Sequence, residues 1–258
     1  MNKLLFFTCI GIFAGMQSCK PKVDNTQAAD ETTKDSIQLL AFEPSAAFDD
    51  AAITKMDYRD GQFKFLISGN YQLGQQTPDA PQKMCANSDK GQHIHLIVDN
   101  KPYEAKYEAD FHYKIEDGTH YVLAFLSRSY HESIKNPKAS VLIQAEVKDS
   151  SFKKLSPVDT PMLFYSRPKG TYVGNDTKKV MLDFYLANCR LGPMFKVKAE
   201  INNQEFIIDK WQPYYITGLP LGENKIKLSL LDSTGMLVNN PFNPMERTFT
   251  LQAEPGQK

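Results

Sequence analysis

The chain has 258 residues, with 30 Lys and Arg balanced by 30 Asp and Glu, so its formal net charge is zero. That balance leaves no basic footprint for nucleic acid or an anionic surface. No apolar run after the N-terminal stretch is long enough to form a transmembrane helix.

Met1–Lys3 make a short basic start, and Leu4–Ala14 form an apolar stretch too short to span a bilayer. Met16-Gln17-Ser18-Cys19 follows directly. A small residue before a cysteine, after an apolar core, resembles the bacterial lipoprotein signal. That resemblance implies cleavage after residue 18 and a lipid on the Cys19 thiol. Several acyl chains on one cysteine anchor firmly, since each buried CH₂ is worth about 0.8 kcal/mol. Lys20 stands where an aspartate would retain such a protein in the inner membrane, so the resemblance implies the outer membrane. Residues 19–44 are mostly polar and read as a flexible tether.

Residues 45–148 and 162–254 read as two copies of one β unit, joined by a linker over 149–161. Val98-Asp99-Asn100-Lys101-Pro102-Tyr103 aligns with Ile201-Asn202-Asn203-Gln204-Glu205-Phe206, each a strand end, an Asn-centred turn and a new strand. Gly118-Thr119-His120-Tyr121-Val122 aligns with Gly222-Glu223-Asn224-Lys225-Ile226. Short alternating strands with Gly, Asn, Asp and Pro at the turns predict an all-β chain. The expected fold is two tandem immunoglobulin-like β-sandwiches.

Alternation also assigns faces. In the second copy, Val197, Ala199 and Ile201 face the core while Lys196, Lys198 and Glu200 face water. Ile226, Leu228 and Leu230 are likewise core, with Lys225, Lys227 and Ser229 outside. In the first copy this puts Ile94, Leu96 and Val98 inside and His93, His95 and Ile97 outside. The neighbouring strand adds Tyr121, Leu123 and Phe125 to that outer face. Such a cluster calls for a cover: the second unit, a loop or a partner. An insertion within residues 75–92, absent from the second copy, directly precedes the histidine strand.

All five histidines fall between residues 93 and 131, and the second copy has none. His93 and His95 lie two apart on one strand, so their rings project in parallel, roughly 6–7 Å apart at Cβ. Two imidazoles at that spacing can converge on Zn²⁺ or Cu²⁺, with His131 as the third ligand and Glu132 or Cys85 as a fourth. Packing and hydrogen bonding under the insertion, or a ligand pocket, are the other readings of these rings. His120 reads as a turn residue and His112 as a loop or edge residue. Cys85 and Cys189 are the thiols left after processing, and an oxidising compartment would allow them to pair.

Ser127-Arg128 and Ser166-Arg167-Pro168-Lys169 each follow an aromatic run. Arg128, Arg167 and Lys169, with the Tyr121/Phe125 surface, could hold an anion or a peptide. Alternatively the arginines brace the junction through carbonyls or acids. Trp211 reads as packing. No nucleophile elbow, P-loop, H-E-x-x-H or dinucleotide fingerprint is present, so a binding role, not an enzyme, is expected.

Several stretches resemble a family of Bacteroidota lipoproteins, some of whose members are called phosphopeptide-binding. These are Gly91–Asn100, Ser127–Ser133, Tyr165–Gly170 and Met181–Leu186. The resemblance implies a secreted, tethered two-domain β protein, no activity and no particular ligand; an envelope protein or a peptide is expected as partner from the cluster that calls for a cover.

Overall fold

A computed structural model describes residues 36–256 of the protein. The signal segment, Cys19 and most of the expected tether lie outside these residues. The described residues belong to one compact unit. No helix among them is long and apolar enough to cross a membrane.

The chain is all-β. Its strands are β1 (Gln38–Ala41), β2 (Ala52–Arg59), β3 (Gln62–Ser68), β4 (His93–Val98), β5 (Glu104–Lys106), β6 (Asp110–His112), β7 (Gly118–Ser127), β8 (Ser140–Lys148) and β9 (Ser151–Ser156). They continue as β10 (Met162–Arg167), β11 (Gly170–Val173), β12 (Val180–Ala187), β13 (Phe195–Ile201), β14 (Gln204–Ile208), β15 (Tyr214–Thr217), β16 (Gly222–Asp232) and β17 (Met245–Gln252). One short helix, α1 (Ala80–Lys83), sits in the insertion.

Two sandwiches result. The first stacks sheet β2-β3-β6 on sheet β5-β4-β7-β8-β9, and the second stacks β1-β15-β12-β10 on β11-β17-β16-β13-β14. The order β5-β4-β7-β8 repeats as β14-β13-β16-β17. Register repeats as well: Val98 pairs with Val122, and the aligned Ile201 pairs with Ile226. The copies differ in the fifth strand of this sheet. β9 runs antiparallel to β8, whereas β11 runs parallel to β17.

Two boundaries differ from the sequence expectation. β1 falls inside the expected tether, where it completes the second sandwich by pairing with β15. The local run Ile37–Phe42 is apolar enough to dock, although the segment around it is polar: Ile37 and Leu39 pack on the second core, and Phe42 is buried against Tyr215 at 4.3 Å. β9 falls inside the expected linker. It forms a hairpin with β8 through Asp149 and Ser150, both at positive φ as a two-residue turn requires.

Core assignments follow the alternation. Ile94, Leu96, Val98, Val122, Ala124 and Leu126 build the first core; Val197, Ala199, Ile201, Ile226, Leu228 and Leu230 build the second. Ser229, expected in water, is buried.

The apolar outer face of the first copy is not open. Ile97, Leu123 and Phe125 pack against Met162, Phe164 and Tyr185 of the second sandwich, forming a third core at the junction. Phe125 stacks on Tyr185 at 4.9 Å, and Tyr121 meets Phe242 edge-on at 5.3 Å. Covered on both faces, β4, β10 and most of β12 are buried along their length. A ligand surface built on Tyr121 and Phe125 is therefore corrected: the second sandwich occupies it. Each buried aliphatic or aromatic side chain here contributes about 1.5–3 kcal/mol relative to exposure.

Candidate metal centre at the sandwich junction

β4 carries His93 and His95 on its junction side, and both rings are fully buried. The strand is held from below by Tyr71, whose hydroxyl donates to the carbonyls of His93 (3.1 Å) and Ser127 (2.8 Å). These two residues are register partners across β4 and β7. The turn after β7 then folds His131 back over the pair. Its backbone is closed by Arg128 N donating to Glu132 O and His131 N to Arg128 O, both at 2.9 Å. His131 has φ +71°, a left-handed conformation that a non-glycine residue keeps only when its surroundings enforce it.

The three rings converge. His93 Nε2 lies 2.9 Å from His95 Nε2 and 3.0 Å from His131 Nδ1, and the three candidate ligand atoms all lie within 4.8 Å of one another. With metal–nitrogen bonds of about 2.1 Å, adjacent ligand nitrogens sit about 3.4 Å apart in a tetrahedral site and about 3.6 Å in a trigonal one. The gaps of 2.9 and 3.0 Å are shorter than either, so these rings must part by about half an ångström to ligate one ion.

The protonation of these rings is compatible with a cation at this point. His93 Nδ1 lies 2.8 Å from the Gly91 carbonyl, an acceptor, so Nδ1 carries the proton and Nε2 presents a lone pair. Two further ring nitrogens approach that single lone pair, and only one of them can donate to it well. His95 Nδ1 is 3.2 Å from the Ser166 hydroxyl of the second sandwich. When Nδ1–H donates there, His95 Nε2 also presents a lone pair. Outer partners of this kind fix tautomer and orientation in metal-bound histidines.

The rings are neutral at neutral pH. Burial pulls His93 down to about 4, opposed by the Gly91 carbonyl and reinforced by Arg167. Burial pulls His95 far below its ordinary value, with His93, His131, Arg167 and Lys169 adding to it. His131 is lowered in the same way by burial, Arg167, His93 and Lys169. A neutral imidazole is the form that ligates.

Aromatic rings wall the site. Tyr103 stacks on His95 at 3.6 Å and an interplanar angle of 7°, and Tyr107 lies 4.9 Å from His93. The insertion closes over this side: Ser88 Oγ and Tyr107 Oη are 2.7 Å apart, and Thr77 and Ser129 exchange two hydrogen bonds.

Other expected participants lie elsewhere. Glu132 is engaged by Ser45 and, at 3.6 Å, by Arg128, so it does not join the imidazoles. Cys85 packs with Phe42, Tyr130 and Tyr215, and burial pushes its thiol up to about 12, away from the thiolate a metal needs. Cys85 and Cys189 are both free thiols. Arg128 donates to the Ala46 carbonyl and lies 5.3 Å from the Phe48 ring, a bracing role apart from Arg167. Arg167 and Lys169 do sit beside the imidazoles, both near the Tyr103 ring. His120 joins Asp99 at 2.5 Å and the Glu116 carbonyl at 2.9 Å, a turn role; His112 lies on the edge strand β6. Trp211 donates to the Phe184 carbonyl and packs at the junction.

The sequence reading missed Tyr103, Tyr107 and Tyr71 as parts of the site. Tyr103 aligns with Phe206 and reads only as a strand residue. Ser166 was visible beside Arg167, but nothing in the sequence placed it against His95.

No family model matches the chain, and no curated protein matches it. Solved structures do. The fibronectin(III)-like modules of Clostridium thermocellum CbhA match at 10% identity, covering 86% of this chain and 97% of that one, with a TM-score of 0.30. The central fibronectin-III array of RIM-binding protein matches at 11% identity, covering 83% and 73%, with a TM-score of 0.28. A Ca²⁺-stabilised adhesin of an Antarctic ice-binding bacterium matches at 9% identity over 80% of this chain and 50% of that one, with a TM-score of 0.23. Nothing about ligands or activity follows from these likenesses.

Proposed function

We propose that this protein is a lipid-anchored binding module that holds one Zn²⁺ or copper ion between its sandwiches through His93, His95 and His131. Convergence of three neutral ring nitrogens, two of them 2.9 and 3.0 Å from the third, carries the reading. Support comes from the Gly91 carbonyl and the Ser166 hydroxyl behind the rings. His95 reaches Ser166 across the junction, so an ion here would also brace the two sandwiches. The role is one of binding, with an envelope protein or peptide as partner, and no reaction is assigned. Attachment through Cys19 to the outer membrane belongs to the same proposal and rests on the sequence pattern alone.

Metal analysis of the purified full chain tests it. About one zinc or copper per chain is expected, lost when His93→Ala and His95→Ala are combined. No stoichiometric uptake, or uptake unchanged in that double variant, refutes the metal site.

A further inference from the structure

The turn Ser166–Lys169 concentrates cations that, among the described residues, form no close ion pair with a carboxylate. Arg167 is buried, donates to the Tyr172 hydroxyl at 2.9 Å, and its Nε has no partner. Lys169 donates its ammonium to the Tyr103 carbonyl. Arg247 of β17 donates to the carbonyls of Asn100 and Glu246, and its Nε is also buried without a partner. Among the described residues no ion pair includes any of the three. The Glu246 carboxylate pairs with Lys225 instead. Arg167 is buried and Lys169 and Arg247 are half-buried, and a buried charge ordinarily finds a counter-charge.

A cavity of about 50 Å³ lies beside these groups; Pro102, Tyr165 and Pro168 give it a mostly apolar wall, and Ser166, Lys169, Arg247 and Thr248 complete the lining. One water needs only about 10–15 Å³ of such space, so the cavity admits a group larger than a single water. No acidic side chain lines it. Lys169 and Arg247 bring charge to its lining, and Ser166 and Thr248 bring hydroxyls. Arg167, next along the chain, adds its positive field without lining the cavity. When His95 Nδ1–H donates to Ser166, the Ser166 proton is free to turn toward the cavity. Lysine, arginine and hydroxyl donors around a small acid-free space suit a compact oxyanion.

We propose that this cavity binds a small oxyanion, a carboxylate or phosphate-type group, between Lys169, Arg247, Ser166 and Thr248. The site adjoins the imidazole cluster through Ser166, which also meets His95, and does not need a metal.

The test is calorimetric titration of the metal-free full chain, in chelator and low salt, with inorganic phosphate and separately with acetate. Saturable one-site binding of at least one of them is expected, weakened tenfold or more by Lys169→Gln and by Arg247→Gln. Arg128→Gln, whose guanidinium belongs to the Ala46 and Glu132 contacts, is expected to leave binding unchanged. Lys169→Arg keeps the charge and should retain binding, which separates loss of the site from loss of the fold. Phosphate alone saturating identifies a phosphate-type ligand, and acetate alone a carboxylate. Absence of saturation with both anions overturns the proposal, as does saturation that neither glutamine variant alters. Because chelator is present, failure of the metal reading leaves this result untouched.

Discussion

Acid should unfold this protein through its imidazoles before its carboxylates. His93 titrates near 4 in the folded chain and near 6.5 once unfolded. Between those values the unfolded chain binds more protons, so stability is full above about pH 6.5 and falls as pH drops toward 4. One pKa unit is worth about 1.4 kcal/mol, so His93 alone removes about 3 kcal/mol across that window. His95 and His131 are lowered in the same direction and add to the loss. Against a total stability of about 5–15 kcal/mol, that is a large share. Urea midpoints of the metal-free full chain, followed by the fluorescence of the single tryptophan, would measure it from pH 7.5 to 4.5. The comparison is a variant with His93→Gln, His95→Gln and His131→Gln, which carries the same carboxylates. Wild type should lose stability steeply below pH 6.5 while the variant changes little. Parallel pH profiles would show that the rings do not stay neutral in the fold, and the proton accounting would fail with them.

Four further outcomes follow from the same geometry. Ser166→Ala should weaken zinc or copper binding about 10–100-fold, as loss of an outer-shell partner does, with little change in metal-free stability; a competitive chelator titration reads it. Phe125→Ala should cost about 3–5 kcal/mol in chemical denaturation, because the ring is fully buried and stacked on Tyr185. Gly91 has φ +80°, and a Cβ there would meet the Gly74 and Gln75 carbonyl oxygens at 2.5 Å. Gly91→Ala should therefore lower the melting temperature and loosen metal binding by moving the carbonyl that orients His93. Truncation of the chain through residue 41 should destabilise the second sandwich by stripping β1 from β15, seen as faster hydrogen exchange in Tyr214–Thr217.

Much of the architecture was legible because it is periodic. Alternation assigned Ile94, Leu96 and Val98 to one face and His93, His95 and Ile97 to the other, and the strand pairing follows the repeat. Pairing His93 and His95 on one strand needs only the two-residue period of a β-strand. Short elements were less legible. β1 is a four-residue edge strand, and β9 carries two lysines, so each blends into polar surroundings until a partner strand is beside it.

What the sequence alone determined is local and repetitive: an all-β chain in two copies, the inner face of each strand, and a histidine pair absent from the second copy. Only tertiary structure decided what covers those histidines. The face read as outward is buried because the second sandwich brings Met162, Phe164 and Tyr185 onto it, a contact between residues far apart in the chain. His131 meets His93 because a closed turn in a left-handed conformation aims it there. Ser166 reaches His95 from the other sandwich. Period and composition report which side of a strand is apolar; they carry no information on which distant surface will bury it.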